Sequence, residues 1–194
     1  MGPTVVLEPP SAVAPIDEQD PTTMDLRFRE EHELLRNLAR SFTNERIRPL
    51  VPTIEKEHRV PRELIGEMAE LGFLGVAIPE EYGGSGLGET GLCIVMEEIT
   101  RAAFSVAVTY GAHASIGAMS VLVGGTEEQK RRFLPDMATG KVLGCYALSE
   151  ANAGSDPGAM TTTAVRDGDD WIVTGEKVWI TNGDMADVVT LYAI

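Results

Sequence analysis

The chain is poor in cysteine, in cations and in long apolar runs, and each shortage excludes something. Its 194 residues include two cysteines, Cys93 and Cys145. They lie far apart and neither belongs to a CxxC pair, so a zinc or dithiol motif is absent. Two buried free thiols in a reducing, cytoplasmic setting are expected. Lys and Arg number 16 against 30 Asp and Glu, a net charge of −14. Nucleic-acid surfaces need clustered cations, so no nucleic-acid partner is expected; an anionic membrane surface is equally unsuited. Residues 1–26 hold no Lys or Arg, so neither a secretory signal nor an Arg-rich presequence is expected. No apolar run is read as approaching the roughly 20 residues that span a bilayer. No group of His, Cys and carboxylates has metal-ligand spacing, and no metal is expected.

What the chain does have falls into three stretches. Residues 1–24, rich in Pro, Ala and acids, read as a disordered tail. Residues 25–141 carry a helical period. Phe28, Leu35, Leu38 and Phe42 recur at helical spacing, followed by Ile47, Leu50 and Ile54. Pro49 and Pro52 argue for two helices meeting near Thr43-Asn44. A short helix is expected from Pro61, closed by Gly72. Further helices are expected over Leu87–Ala103 and over the nearly uncharged Ser105–Leu122, which suits the middle of a bundle. Another should start at the capping box Thr126-Glu127-Glu128-Gln129 and be closed by Gly140.

From residue 142 to 194 the period changes to alternation. Strands are expected over Val142–Leu148, Thr161–Arg166, Trp171–Thr174, Lys177–Asn182 and Val188–Ile194, with a hairpin turn at Asp167–Asp170. The expected architecture is α+β: an N-terminal α-helical bundle followed by a meander-like antiparallel β domain. That β domain is read as truncated, since a strand ending at Ile194 leaves an edge open.

Gly86-Leu87-Gly88-Glu89-Thr90-Gly91 matches the dinucleotide fingerprint G-x-G-x-x-G. No strand leads into it and no βαβ unit surrounds it, so these are read as helix-entry glycines. Chemistry is better placed elsewhere. At Cys145-Tyr146-Ala147-Leu148-Ser149-Glu150 an apolar strand changes into the small-residue run Asn152-Ala153-Gly154-Ser155-Asp156. Such a run offers backbone N–H groups, hydroxyls and close approach to a ligand. Further on, Lys177-Val178-Trp179-Ile180-Thr181-Asn182 sets an indole beside a hydroxyl, which suits a flat polar heterocycle. Ordinary strand-to-loop structure and a core Trp would account for the same residues.

Taken in order, these two runs resemble the signature segments of the acyl-CoA dehydrogenase family of flavoproteins. The likeness extends from about Asp25 to Ile194. Ala151 departs from it, standing where the family usually has proline. The resemblance implies FAD as cofactor. Tyr146, Ala147, Leu148, Ser149, Gly154 and Ser155 would lie along the flavin and its pyrophosphate arm, and Trp179, Ile180 and Thr181 along the other edge. Ser155 would also meet the acyl-CoA substrate, and His113 would line the acyl pocket, unless it is a satisfied core histidine. Glu150 is read as stabilising the turn and Asp156 as ordering the loop.

The family's base is a Glu in a C-terminal helical domain that this sequence does not include, so no catalytic residue is assigned. The implied activity is α,β-desaturation of an acyl-CoA thioester, with electrons passed to an electron-transfer flavoprotein. The short- and branched-chain types resemble it most. The chain reads as an N-terminal fragment, inactive alone, of a homo-oligomer (tetramer or dimer), or as half of a pair with a complementing chain. Two alternatives stay open: an acyl-CoA oxidase-like flavoenzyme, and a non-catalytic subunit of a two-chain assembly.

Overall fold

The computed structural model describes residues 27–194; the tail expected over 1–24 lies outside them. The first rod comprises α1 (Glu30–Phe42), a π turn (Thr43–Ile47) and α2 (Arg48–Glu57). The residues at both junctions keep right-handed helical dihedrals, so the break expected near Thr43-Asn44 is corrected to a bulge. Pro49 falls in the first turn of α2, where a missing N–H is tolerated, and Pro52 sits inside the helix without ending it. His58, at φ 51, ends the rod.

Pro61 precedes α3 (Arg62–Glu70), and Gly72 closes it at φ 78, as its position implied. A loop with two short 3₁₀ turns leads into α4 (Gly88–Thr100). Here Gly84 lies so close to the Ile78 carbonyl that a β-carbon would collide with it. The glycines of the rejected fingerprint open α4, with Gly86 and Gly88 at positive φ. Leu92, Val95 and Ile99 of α4 are buried, while Cys93 is exposed. The expectation of two buried thiols therefore holds only for Cys145, because Cys93 sits on the solvent face of its helix.

The central rod is α5 (Phe104–Gly111), a second π turn (Ala112–Gly117) and α6 (Ala118–Gly124). At 21 residues it is long and apolar enough to cross a membrane, contrary to the sequence reading, yet 61% of its most apolar 18-residue stretch is buried inside the protein. Its neighbours α4 and α7 (Glu127–Ala138) pack against it. The capping box at the start of α7 is formed in both directions, Gln129 N–H to Thr126 Oγ1 at 3.3 Å and Thr126 N–H to Gln129 Oε1 at 2.8 Å. Gly140 follows at φ 68. The main core runs from Ala39 to Ala114 through these helices and takes in Leu143.

Beyond it lie β1 (Gly144–Ala147), β2 (Thr163–Asp167), β3 (Asp170–Thr174) and β4 (Val188–Leu191). β2 and β3 form the expected antiparallel hairpin, with Asp167 opposite Asp170 and Gly168 at φ 61. Two expectations are corrected. β1 pairs with β4 in parallel, Gly144 opposite Val188, so the domain is not a simple antiparallel meander. Parallel neighbours need a long crossover, and the hairpin and the loop after it supply one. Lys177–Asn182 is not a strand, because Trp179 (φ 60) and Asn182 (φ 65) take left-handed conformations that break the alternation.

Candidate functional site

The site grows from the end of β1. Tyr146 is half-buried, its ring tilted against Tyr192 at 4.9 Å between centroids. Ala147 is buried and its carbonyl accepts from the Tyr192 N–H at 3.1 Å. The next two carbonyls reach the second signature run: Leu148 accepts from Lys177 Nζ at 3.0 Å and Ser149 from the Val178 N–H at 2.9 Å. The two runs that the sequence singled out are therefore neighbours, joined backbone to backbone.

Between them sits a buried ion pair. Glu150 and Lys177, with side chains 2% and 8% exposed, meet at 2.8 Å. The Glu150 carboxylate also accepts from the N–H groups of Thr161 (2.6 Å) and Thr162 (3.0 Å) and from the Thr161 hydroxyl (2.8 Å). The ammonium above all, and then these donors, hold its carboxyl well below the usual range. Glu150 thus ties the turn together, as the sequence reading held. Asp156 likewise orders its loop, accepting from the Gly158 N–H at 3.1 Å.

Gly154 and Ser155 are exposed on that loop, Ile180 and Thr181 are half-buried, and Trp179 is 93% exposed. Among the described residues, the hydroxyls of Ser149, Ser155 and Thr181 have no hydrogen-bond partner. Thr181 lines a groove of about 480 Å³ between the end of α2, the start of α5 and the loop 181–185. Ile54, Val60, Phe104, Val108 and Met185 give it apolar walls, while Ser105, Thr109 and Thr181 add hydroxyls. Ser149 does not line it.

His113 is elsewhere. It is fully buried in the second π turn. Its Nδ1 accepts from the Gly144 N–H at 2.9 Å, which leaves Nε2 to donate to the Met137 carbonyl at 3.1 Å. Burial lowers its pKa to about 4. Of the two roles left open for it, these bonds are those of a satisfied core histidine.

Four positioning residues went unread in the sequence. Lys177 is described above. Asn182, 6% exposed, donates from Nδ2 to the Thr109 carbonyl at 2.9 Å. Asp187 accepts from the Leu143 N–H (2.8 Å) and from Arg62 (2.6 Å), which also reaches the Met185 carbonyl. The Leu143 N–H, with Arg62 second, keeps the Asp187 carboxyl below its ordinary range. One signal was available: Lys177 is the lone charge in the run 177–182, and the first signature run carries no cation to pair with Glu150.

Comparison with known proteins adds the following. Residues 29–141 match the family described as acyl-CoA dehydrogenase, N-terminal domain, and residues 145–194 match acyl-CoA dehydrogenase, middle domain. The chain is 40% identical over 164 residues to the short-chain specific acyl-CoA dehydrogenase, mitochondrial, of Bos taurus, which covers 84% of this chain and 40% of that protein. A chain from the structure of the electron transferring flavoprotein of Acidaminococcus fermentans superposes with a TM-score of 0.85 at 37% identity, covering 88% and 45%. The acyl-CoA dehydrogenase complexed with FAD from Bacillus anthracis superposes with a TM-score of 0.81 at 38% identity, covering 86% and 29%. The chain spans less than half the length of these proteins.

Proposed function

Because the chain belongs to the acyl-CoA dehydrogenase family, we propose that it forms the N-terminal helical domain (25–141) and the first part of the middle domain (142–194) of an FAD-dependent enzyme that α,β-desaturates an acyl-CoA thioester. The observation that carries this is the pairing of the two signature runs. Their hydroxyls at Ser149 and Thr181 lack partners, and the Trp179 indole stands free, although the surrounding backbone is bonded internally. A planar ring bearing carbonyl and amide edges would satisfy both hydroxyls, so these residues fit a flavin.

When bound, FAD supplies an acceptor for the hydrogen that leaves the β-carbon with its electron pair. The chain's own residues do the rest of the binding. Ser149 and the backbone at Tyr146–Leu148 would hold the ring's pyrimidine side. Trp179, Ile180 and Thr181 would close the other edge, with the Thr181 donor where charge builds during reduction. Gly154 and Ser155 would admit the pyrophosphate arm, and Ser155 the thioester's CoA portion. The groove beside Thr181 would take the acyl group, whose methylenes its apolar wall would remove from water. The proton acceptor is expected in the part of the relatives' length that this chain does not span, so these 194 residues alone are expected to be inactive. An electron-transfer flavoprotein is the proposed electron acceptor, a homo-oligomer or a complementing chain the proposed assembly, and the cytoplasm the proposed location.

Anaerobic mixing of the full-length protein with acyl-CoAs of increasing chain length tests this reading. Bleaching of the flavin absorption is the expected result. No bleaching at any length would count against desaturation.

A further inference from the structure

Trp179–Thr181 lie in a stretch that no strand ladder holds. Between β3 and β4, from 175 to 187, the chain has no regular element, and the largest side chain there is almost wholly exposed. Packing therefore does little to fix Trp179, and it covers Ile180 and Thr181 only in part. Two buried polar anchors stand on either side of them. Lys177 is tied to the Leu148 carbonyl and to Glu150, which is itself tied to Thr161 and Thr162. Asn182 is tied to the Thr109 carbonyl in the central rod, at a left-handed backbone position that asparagine tolerates better than most residues.

A buried ion pair is a weak source of stability, because desolvation offsets much of the attraction. What it adds over an apolar contact is direction, since each hydrogen bond restricts both a distance and an angle. On the flavin reading above, we infer that the Glu150–Lys177 pair and Asn182 form a two-point bracket that positions Trp179, Ile180 and Thr181 against Ser149 for the cofactor. These are positioning residues. They touch neither substrate nor reacting atoms, and the bracket acts on the shape of the flavin edge.

The test uses the full-length protein and FAD. Five variants are compared with wild type: Lys177→Met, Glu150→Gln, the two combined, Asn182→Gly, which keeps the left-handed backbone and removes the amide, and Lys177→Arg as the conservative control. The readouts are the dissociation constant for FAD from flavin fluorescence, the visible circular dichroism of bound flavin, and Tm. Each single change other than Lys177→Arg is expected to weaken FAD binding tenfold or more and to alter the visible dichroism. The double variant is expected to be no weaker than the worse single one, because the pair acts as a unit. Lys177→Arg, which keeps the charge, should recover part of the affinity.

A purely structural role would lower Tm and leave the affinity and dichroism of bound flavin at wild-type values; that result overturns the bracket. If a lone charge left behind prevents folding, the double variant and Asn182→Gly decide, and wild-type binding in both is equally fatal. Wild-type protein that takes up no FAD would instead overturn the flavin reading and the bracket with it.

Discussion

The helical and β regions of this chain are held together by different physics. Up to Gly140 the fold rests on apolar packing: Phe73, Leu74, Met68, Ile99 and Tyr110 are buried almost completely in one continuous cluster. After residue 142 the buried apolar side chains are Leu143, Cys145, Ala147 and Ala153, while Val165, Trp171, Ile172, Val173 and Val189 are exposed. What fixes the second region is directional: the Glu150 clasp, the Asn182 amide, and Asp187 joined to Arg62. The region proposed to hold the cofactor is thus the one that packing specifies least, and polar bonds that select one arrangement set its geometry.

Four measurements would break or sharpen that contrast. The largest effect is expected in the helical core. Phe73→Ala should cost about 3–5 kcal/mol by denaturant unfolding, because a fully buried ring edge-on to Phe42 at 5.7 Å leaves a cavity. A cost below about 1 kcal/mol would deny that this core carries the fold.

The second is a pH effect. His113 has a folded pKa lowered to about 4, against 6.5 when exposed, so between those values the unfolded chain binds a proton that the native chain does not. Stability is complete above pH 6.5 and falls as the pH drops toward 4, by on the order of 3 kcal/mol from this one group. Unfolding midpoints measured from pH 7 to 4 should show that slope, and His113→Gln should flatten it.

Third, Thr181→Val in the full-length protein removes a hydroxyl that has no protein partner. Stability should change little, while stopped-flow flavin reduction by an acyl-CoA should slow about a hundredfold, the scale of one lost donor at developing charge. Slowing that merely follows a lowered Tm would show that the hydroxyl serves the fold. The smallest effect is expected at the hairpin. Ile172→Thr, at a side chain 55% exposed, should alter unfolding free energy by less than about 0.5 kcal/mol. A larger loss would mean that the hairpin is covered in the assembled protein.

Local rules in the sequence foretold the helices, because their signals act over a few residues. The Thr126–Gln129 box, the left-handed glycines after α3 and α7 and the alternation flanking Gly168 all report on their own neighbourhoods. The same rules misjudged Pro49 and Pro52, since Pro49 lies in a first helical turn that tolerates it and the rod continues through Pro52. They also read Lys177–Asn182 as a strand, since alternation of side-chain type carries no information about φ.

By itself, then, the sequence determined the helical half, the hairpin, and which two short runs are proposed to hold the cofactor, because residue type and spacing dictate caps, turns and periodicity. Tertiary structure alone decided that β1 pairs with β4 in parallel, that His113 serves the core, and that Glu150 meets Lys177 across 27 residues of chain. Those choices depend on which distant groups find one another once water is excluded. There an unmatched charge or N–H is costly enough to select its partner.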